Sequence, residues 1–221
     1  RTMEASFVFK PCKFLIFELI EDGVKQKIKV RGEKYKGITG QGGNGTCFKI
    51  ARKRSTESGT SLTMFSENSK DFEVFCPKIC DTEREMRFFN RQLTHPNVID
   101  LIENGEKYMI FPFADYSLRS MIADGIKKGK VIHPKVRISL IRQLFEGVAF
   151  LHENQILHLD LKPDNLLIFP DKENRMIFHL KIGDFGSHMK ENAVRTFSYT
   201  TIPYAAPEAK KFAFTRARSE E

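Results

Sequence analysis

Residues 156–186 read ILHLDLKPDNLLIFPDKENRMIFHLKIGDFG, and the rest of the chain is read outward from them. Within this stretch stand His158-Leu159-Asp160-Leu161-Lys162-Pro163-Asp164-Asn165 and, further on, Asp184-Phe185-Gly186, each preceded by an apolar, strand-like run. Two carboxylates, one lysine and one carboxamide therefore sit at the ends of short apolar strands, where backbone can hold them still. Phosphoryl transfer needs such a set. One carboxylate orients a hydroxyl nucleophile, a cation offsets charge on the moving phosphoryl group, and oxygen ligands hold magnesium against nucleotide phosphates. Either fragment alone also reads as a polar turn or a loop breaker. Both together, in order and behind strand signals, argue against that reading.

The stretch resembles the catalytic loop and metal-binding motif of eukaryotic protein kinases, H-R-D-L-x-x-x-N followed by D-F-G. The resemblance implies that Asp160 is the catalytic base, that Lys162 contacts the γ-phosphate, and that Asn165 and Asp184 bind magnesium. Lysine two residues after the aspartate is similar to the serine/threonine type. Leu159 stands where the family usually carries an arginine that pairs with a phosphorylated activation loop, so this sequence departs from that route of control.

Upstream, Gly40, Gly42 and Gly45 form G-x-G-x-x-G, a weak signal by itself. The residues after Gly45 decide its meaning. A dinucleotide-binding loop would open a helix, whereas Thr46-Cys47-Phe48-Lys49-Ile50-Ala51 is rich in strand formers. A Gly-Lys-Ser/Thr phosphate loop is excluded because no lysine follows Gly45. Strand, glycine loop, strand resembles the kinase flap, in which absent side chains let backbone close over phosphates. Residues 52–70, rich in Ser, Thr and Gly, are expected as a loop. Phe72 to Ile79 then resembles the V-A-I-K strand, with Lys78 as the lysine that holds the α- and β-phosphates and Pro77 an unusual strand residue, tolerated at an edge or a bulge.

The next helix, Asp81 to Leu93, opens with a capping-box pattern from Thr82 to Glu85. The resemblance makes Glu85 the glutamate that pairs with the strand lysine; capping alone is the other reading. It also sets Phe89, one turn later, against the D-F-G phenylalanine. Thr94 to Ile99 resembles the loop leaving this helix. Tyr108 to Phe111 reads as a buried strand leading into Pro112-Phe113-Ala114-Asp115. By resemblance Phe111 is the gatekeeper and the backbone of Pro112 and Ala114 bonds the adenine edge, while Cys47, Cys76 and Leu167 take nucleotide-contacting positions. Ser117 is expected to cap a helix carrying Leu118, Met121 and Ile122.

Pro134 begins a long helix whose Ile138, Ile141, Leu144, Phe145, Val148 and Leu151 fall on one side, read as a core stripe. His133 and His152 at its ends show no metal-ligand spacing. After D-F-G comes a polar loop containing Ser187, Thr196, Ser198, Tyr199, Thr200 and Thr201. It closes on Thr201-Ile202-Pro203-Tyr204-Ala205-Ala206-Pro207-Glu208, which resembles the T-x-x-Y-x-A-P-E end of an activation segment.

The expected fold class is α+β: a bilobal kinase-like arrangement with a β-rich small lobe and a helical large lobe, the latter incomplete. Residues 1–36 form an extension whose runs at 13–20 and 24–30, joined through Asp22-Gly23, signal a hairpin. Residues 37–111 make the small lobe and 112–221 part of the large lobe. Kinases continue through further helices beneath the catalytic loop. Without them part of the Ile138–Leu151 stripe would face water, at about 1.5–3 kcal/mol per large side chain. The expectation is a fragment of a longer chain, or a dimer mate or partner chain that covers this face.

Composition fits that picture. The 221 residues are 41% hydrophobic, with no apolar run long enough to span a membrane, and the first residues lack the charged, apolar and small-residue sections expected of a signal peptide. Cys12, Cys47, Cys76 and Cys80 form no C-x-x-C pair, and reduced thiols in an intracellular setting, cytoplasm or nucleus, are expected. The net charge of +8 is spread among 28 acidic residues without a recognition motif, so nucleic acid is not an expected partner. ATP, Mg2+ and a protein substrate are. A nucleotide-binding scaffold without efficient turnover, of pseudokinase type, is the alternative that Leu159 and Pro77 keep open.

Overall fold

The computed structural model describes residues 4–7, 14–21, 24–31, 38–42, 45–48, 50–53, 72–79, 83–105, 108–174, 176–190, 201–207 and 210; before residue 83 the side chains described are those of Cys47 and residues 75–78. Most of the expected loop at 52–70, and the hydroxyl-bearing positions 196–200, lie outside these residues. The described residues fall into two compact units, one drawn from 1–82 and 100–113, the other from 83–99 and 114–221.

The first unit is built from β-structure. Strands β1 (Glu4–Phe7), β2 (Phe14–Glu21) and β3 (Val24–Arg31) make an antiparallel sheet in that order. The β2–β3 ladder runs from Phe14 opposite Arg31 to Glu21 opposite Val24, so only Asp22-Gly23 joins the two strands. That is the two-residue connection which Asp-Gly favours. A second sheet contains β4 (Ile38–Gly42), β5 (Gly45–Phe48), β6 (Ile50–Lys53), β7 (Phe72–Ile79), β8 (Glu103–Gly105) and β9 (Tyr108–Pro112). Its order is β4-β5-β7-β9-β8, with β6 also paired to β7.

Strand β7 is central, and Pro77 is nevertheless tolerated in it. The β5 ladder reaches Cys47 opposite Lys78 and the β6 ladder begins with Ile50 opposite Phe75, so Pro77 falls in the interval between them. On its other side it stays in register with Ile110. A proline survives inside a sheet where its missing N–H is not called upon.

The second unit carries the helices α1 (Glu83–Phe89), α2 (Leu118–Lys127) and α3 (Pro134–Glu153). Its strands are β10 (Tyr116–Ser117), β11 (Ile156–Leu157), β12 (Leu166–Pro170), β13 (Phe178–Ile182) and β14 (Met189–Lys190). Strands β10, β12 and β13 form one antiparallel sheet, and β11 pairs with β14. Ser117 caps α2 as expected, in a reciprocal box with Ser120. Among the described residues no helix is long and apolar enough to cross a membrane.

Helix α3 divides the expected stripe. Leu151 is buried as expected and Leu144 and Val148 are half-buried, whereas Ile138, Ile141 and Phe145 are 68%, 54% and 69% exposed, and Val136, Leu140 and Gly147 complete the buried face. Close approach decides which face turns inward. A Cβ on Gly147 would stand 2.9 Å from both the Asn97 carbonyl oxygen and Ile182 Cδ1. The glycine therefore lets α3 settle against β13, which a bulkier face would hold off. Polar links fix the same contact: Gln143 Nε2 donates to the Phe178 carbonyl at 2.9 Å, its Oε1 accepts from Leu180 N at 2.7 Å, and Asn97 Nδ2 donates to the Leu180 carbonyl at 2.9 Å. The loop Thr94–Ile99 completes the edge of β13, with Ile99 N donating to Ile182 O and Ile182 N to Asn97 O.

Candidate active site

Strand β11 delivers the chain into the loop that begins at His158. The buried His158 ring donates from Nε2 to the Gly183 carbonyl at 2.9 Å, and its Nδ1 accepts from Asp160 N at 3.3 Å. Both roles together require the neutral ring. Burial, the largest influence, pushes the His158 pKa below its ordinary value in keeping with this. Between the two residues Leu159 adopts φ +65°, a left-handed conformation that costs a non-glycine residue energy and is held by its surroundings.

Asp160 is buried, yet both of its carboxylate oxygens are engaged. Oδ2 accepts from Lys162 Nζ at 2.6 Å and from Asn165 Nδ2 at 3.3 Å. Oδ1 accepts from Thr201 N at 2.9 Å and from the Thr201 hydroxyl at 2.7 Å. Lys162 Nζ also donates to Thr201 Oγ1 at 2.9 Å. A buried carboxylate left without such donors would be strongly disfavoured, so the network explains how the charge is kept there. A short 3₁₀ turn, Pro163–Asn165, then turns Asn165 inward, where its Nδ2 bonds the Asp160 carbonyl at 2.8 Å. Beside it Asp164 accepts both of its bonds from Arg119 Nε at 2.7 Å, and Arg119 reaches the Tyr204 hydroxyl at 2.9 Å.

Strand β13 brings the second motif alongside. Gly183 N donates to the Asn165 carbonyl at 2.9 Å, which sets Asp184 next to the catalytic loop. Asp184 is left-handed, with φ 62° and ψ 74°. Phe185 is fully buried and stacks face to face on Phe88 of α1, with centroids 3.6 Å apart and planes 2° from parallel. Phe89 meets Phe185 edge-on at 5.9 Å, and the His158 ring packs against it, tilted, at 5.1 Å. Glu85, also buried, accepts the Phe185 N–H on Oε1 at 3.3 Å. Its carboxylate thus reaches across from α1 to the D-F-G backbone, which a purely local capping role would not require. His188 closes the cluster, with Nδ1 hydrogen-bonded to the Phe185 carbonyl and its ring edge-on to Phe88.

The oxygen donors present suit a hard cation. The amide nitrogen of Asn165 is committed to Asp160, which makes its oxygen the ligating end. One carboxylate, Asp184, lies on the adjoining segment. Magnesium takes one or two protein oxygens and completes its shell with phosphates and water, so this sparse pair fits it. Among the described residues no group of three or more His, Cys, Asp or Glu converges as a richer metal site would need.

In the first unit, register alone brings the remaining candidates to one face. Cys47 pairs with Lys78, Lys78 with Met109, and Cys76 with Phe111. Directly opposed residues share a sheet face, and residues two apart on a strand share it too. Cys47, Cys76, Lys78, Met109 and Phe111 are therefore co-facial. Lys78 and Phe111 are each 7% exposed, while both cysteines are half-buried. Gly40 and Gly42 lie on β4 and Gly45 on β5, where Gly42 pairs with Gly45 and closes the hairpin, and the ladder is irregular between Ile38 and Gly40. Pro112 ends β9 opposite Phe75. In the second unit Ala114 is half-buried, and Leu167 lies on β12 between Ser117 and Lys181.

The sequence reading did not assign roles to two of these participants. Phe88 rather than Phe89 makes the face-to-face stack. The resemblance set Phe89 against the D-F-G phenylalanine, which it meets edge-on, while the flat contact falls to Phe88. Thr201 was legible as part of the T-x-x-Y-x-A-P-E pattern, yet its contact with Asp160 spans 41 residues and had no local signal.

A catalytic-loop carboxylate with a lysine and an asparagine at fixed offsets, beside a D-F-G segment locked to a helix glutamate, defines a protein-kinase-type site. The sequence profile of the family described as protein kinase domain matches residues 34–213, and the chain belongs to that family. Its α+β fold is the kinase fold. The chain is similar to cyclin-dependent kinase E-1 of Arabidopsis thaliana, 31% identical over 184 residues that cover 78% of this chain and 38% of that protein. It is also 31% identical over 125 residues to cell division control protein 2 homolog 3 of Trypanosoma brucei brucei, covering 53% of this chain and 37% of that one. Among solved structures it is similar to a chain of the yeast RNA Pol II CTD kinase CTDK-1 complex, at 30% identity and a TM-score of 0.51, covering 62% of this chain and 47% of that chain. The matched region spans under half the length of each of these relatives.

Proposed function

We propose that this chain carries the nucleotide-binding and catalytic elements of an intracellular serine/threonine protein kinase, which transfers the γ-phosphoryl group of ATP to a protein hydroxyl. The observation that carries the reading is the Asp160 carboxylate, which accepts an O–H donor, Thr201, at 2.7 Å while the Lys162 ammonium sits 2.6 Å away on its other oxygen. A serine or threonine hydroxyl of a protein substrate would be oriented by the same kind of contact. Asp160 accepts the proton as the nucleophile commits, and Lys162 offsets charge on the transferred group. Asn165 and Asp184 would hold the metal; magnesium bound there supplies charge neutralisation on the nucleotide phosphates. Lys78 is assigned to the α- and β-phosphates. Cys47, Cys76, Phe111 and Leu167 are assigned to the base, together with the backbone of Pro112 and Ala114, and the glycine hairpin to the phosphates.

A nucleotide-binding scaffold without efficient turnover is the second reading, favoured by Leu159 in the arginine position. The two are separated by incubating the protein with labelled ATP, magnesium and a generic protein substrate beside an Asp184→Asn control. Label in the substrate that disappears in the control supports transfer. Equal label in both would assign the activity to a contaminant. Magnesium-dependent thermal stabilisation by ATP without any label would favour the scaffold.

A further inference from the structure

One sheet face of the first unit carries two thiols beside a buried lysine, an arrangement that nucleotide binding alone does not call for. Cys47 stands directly opposite Lys78, and Cys76 lies two residues before that lysine on the same strand. Both cysteines are half-buried, whereas Lys78 is 7% exposed. We propose that Cys47 and Cys76 form an oxidisable thiol pair on the nucleotide face, that hydrogen peroxide converts them to sulfenic acids, and that oxidation and nucleotide exclude one another there. The proposal rests on the nucleotide reading above and adds a mode of regulation to that site.

The chemistry follows from the neighbours. Directly opposed residues hold their Cβ atoms about 4.5–5.5 Å apart, so the Lys78 side chain starts beside that of Cys47, and a neighbouring ammonium favours a thiolate over a thiol. The thiolate sulfur attacks one peroxide oxygen, the O–O bond breaks, and hydroxide leaves. The sulfur is oxidised by two electrons and the peroxide is reduced by the same two. Cys47 and Cys76 are diagonal rather than directly opposed, and diagonal neighbours stand about 7–8 Å apart, beyond the usual span of a disulfide. The sulfenic acids are thus not resolved by each other in place. They stay as polar groups on the face assigned to adenine until an external thiol reduces them.

The test treats the protein with peroxide and dimedone, a carbon nucleophile that traps sulfenic acids, and maps adducts by peptide mass, which separates positions 47 and 76 from Cys12 and Cys80. The expected result is labelling at both positions, slowed at least about tenfold by saturating magnesium and a non-hydrolysable ATP analogue. Peroxide without dimedone should abolish the nucleotide-dependent rise in Tm, and dithiothreitol should restore it, which distinguishes the thiols from oxidised methionine. Positions 47 and 76 that stay unlabelled in the folded protein but label after denaturation would overturn the proposal. So would an oxidised protein that keeps its full nucleotide-dependent shift. The reduced, untreated protein reports separately on nucleotide binding: no shift there overturns the nucleotide reading and the exclusion with it, whatever the dimedone map shows.

Discussion

The Asp160 network and the Phe185 stack are neighbours in the same unit and are held by opposite kinds of contact. Around Asp160 every link is polar and directional, with donors from Lys162, Asn165 and Thr201 converging on one carboxylate. Around Phe185 the contacts are rings: Phe88 flat against it, Phe89 and His188 edge-on, and His158 tilted. The difference separates two jobs. The polar network fixes the position of a charge and contributes little by packing. The stack fixes the position of a backbone segment through buried apolar area. His158 joins them, since its Nδ1 accepts from Asp160 N while its ring packs on Phe185, and Glu85 holds the Phe185 N–H from within the helix that supplies the rings.

If the division is right, damage to one region should be read in rate and damage to the other in stability. Asp160→Asn is expected to have the largest effect, a fall in phosphoryl transfer of roughly 10²–10⁴-fold with the folded state retained. Steady-state kinetics beside circular dichroism checks it, and an unchanged rate would remove Asp160 from the chemistry. Phe88→Ala should cost about 3–5 kcal/mol of stability, as large-to-small changes at buried aromatic positions do. Urea denaturation measures this, and a loss under about 1 kcal/mol would mean that the stack is not what holds the segment.

Thr201→Val tests the long-range link in the polar network. It keeps the backbone donor but removes the hydroxyl from Asp160 and Lys162, with an expected cost of about 1–3 kcal/mol, and it should lower the rate as well. A variant that loses stability alone would confine Thr201 to packing.

A pH dependence follows from the two imidazoles at the stack, whose protonation is disfavoured by burial before anything else. For His188 the nearby Arg91 and Arg87 add repulsion, while the Phe185 carbonyl works the other way. Because both folded-state values lie below the ordinary one, the unfolded chain takes up protons first as pH falls through about 6.5. Stability from these groups is therefore fully present above that pH and declines below it. Melting curves between about pH 7.5 and 5.5 should show a loss smaller than that of Thr201→Val, and reduced in His188→Phe. The smallest effect belongs outside both regions: Phe145→Ser, on the exposed face of α3, should change stability by no more than about 0.5 kcal/mol.

Much of the site was legible because its residues are close in sequence. His158, Asp160, Lys162 and Asn165 occupy one loop of eight positions, and a short turn suffices to bring their polar atoms together. The glycine hairpin, the Asp22-Gly23 hairpin and the Ser117 cap were legible for the same local reason. Helix α3 shows where such reading is only partial: of the apolar stripe Leu151 is buried, while Ile138, Ile141 and Phe145 are exposed. Periodicity identified a helix with apolar residues on one side, but which side packs depends on the partner surface. The face with Gly147 won because only there can the backbone approach Asn97 and Ile182. Pro77, read as an edge or bulge residue, sits in a central strand because the two ladders beside it leave an interval at its position.

By itself, then, the sequence determined the chemistry: which carboxylates, lysines and glycines are present, at what offsets, and to which family they assign the chain. Only the tertiary structure decided that Thr201 closes on Asp160 from 41 residues away, that Phe88 rather than Phe89 lies flat on Phe185, and that Cys47, Cys76, Lys78 and Phe111 share a face. The physical reason is range. Motif spacing is set by a few backbone dihedrals, whereas stacking partners, sheet register and the inward face of a helix are set by which distant surfaces can approach without a clash.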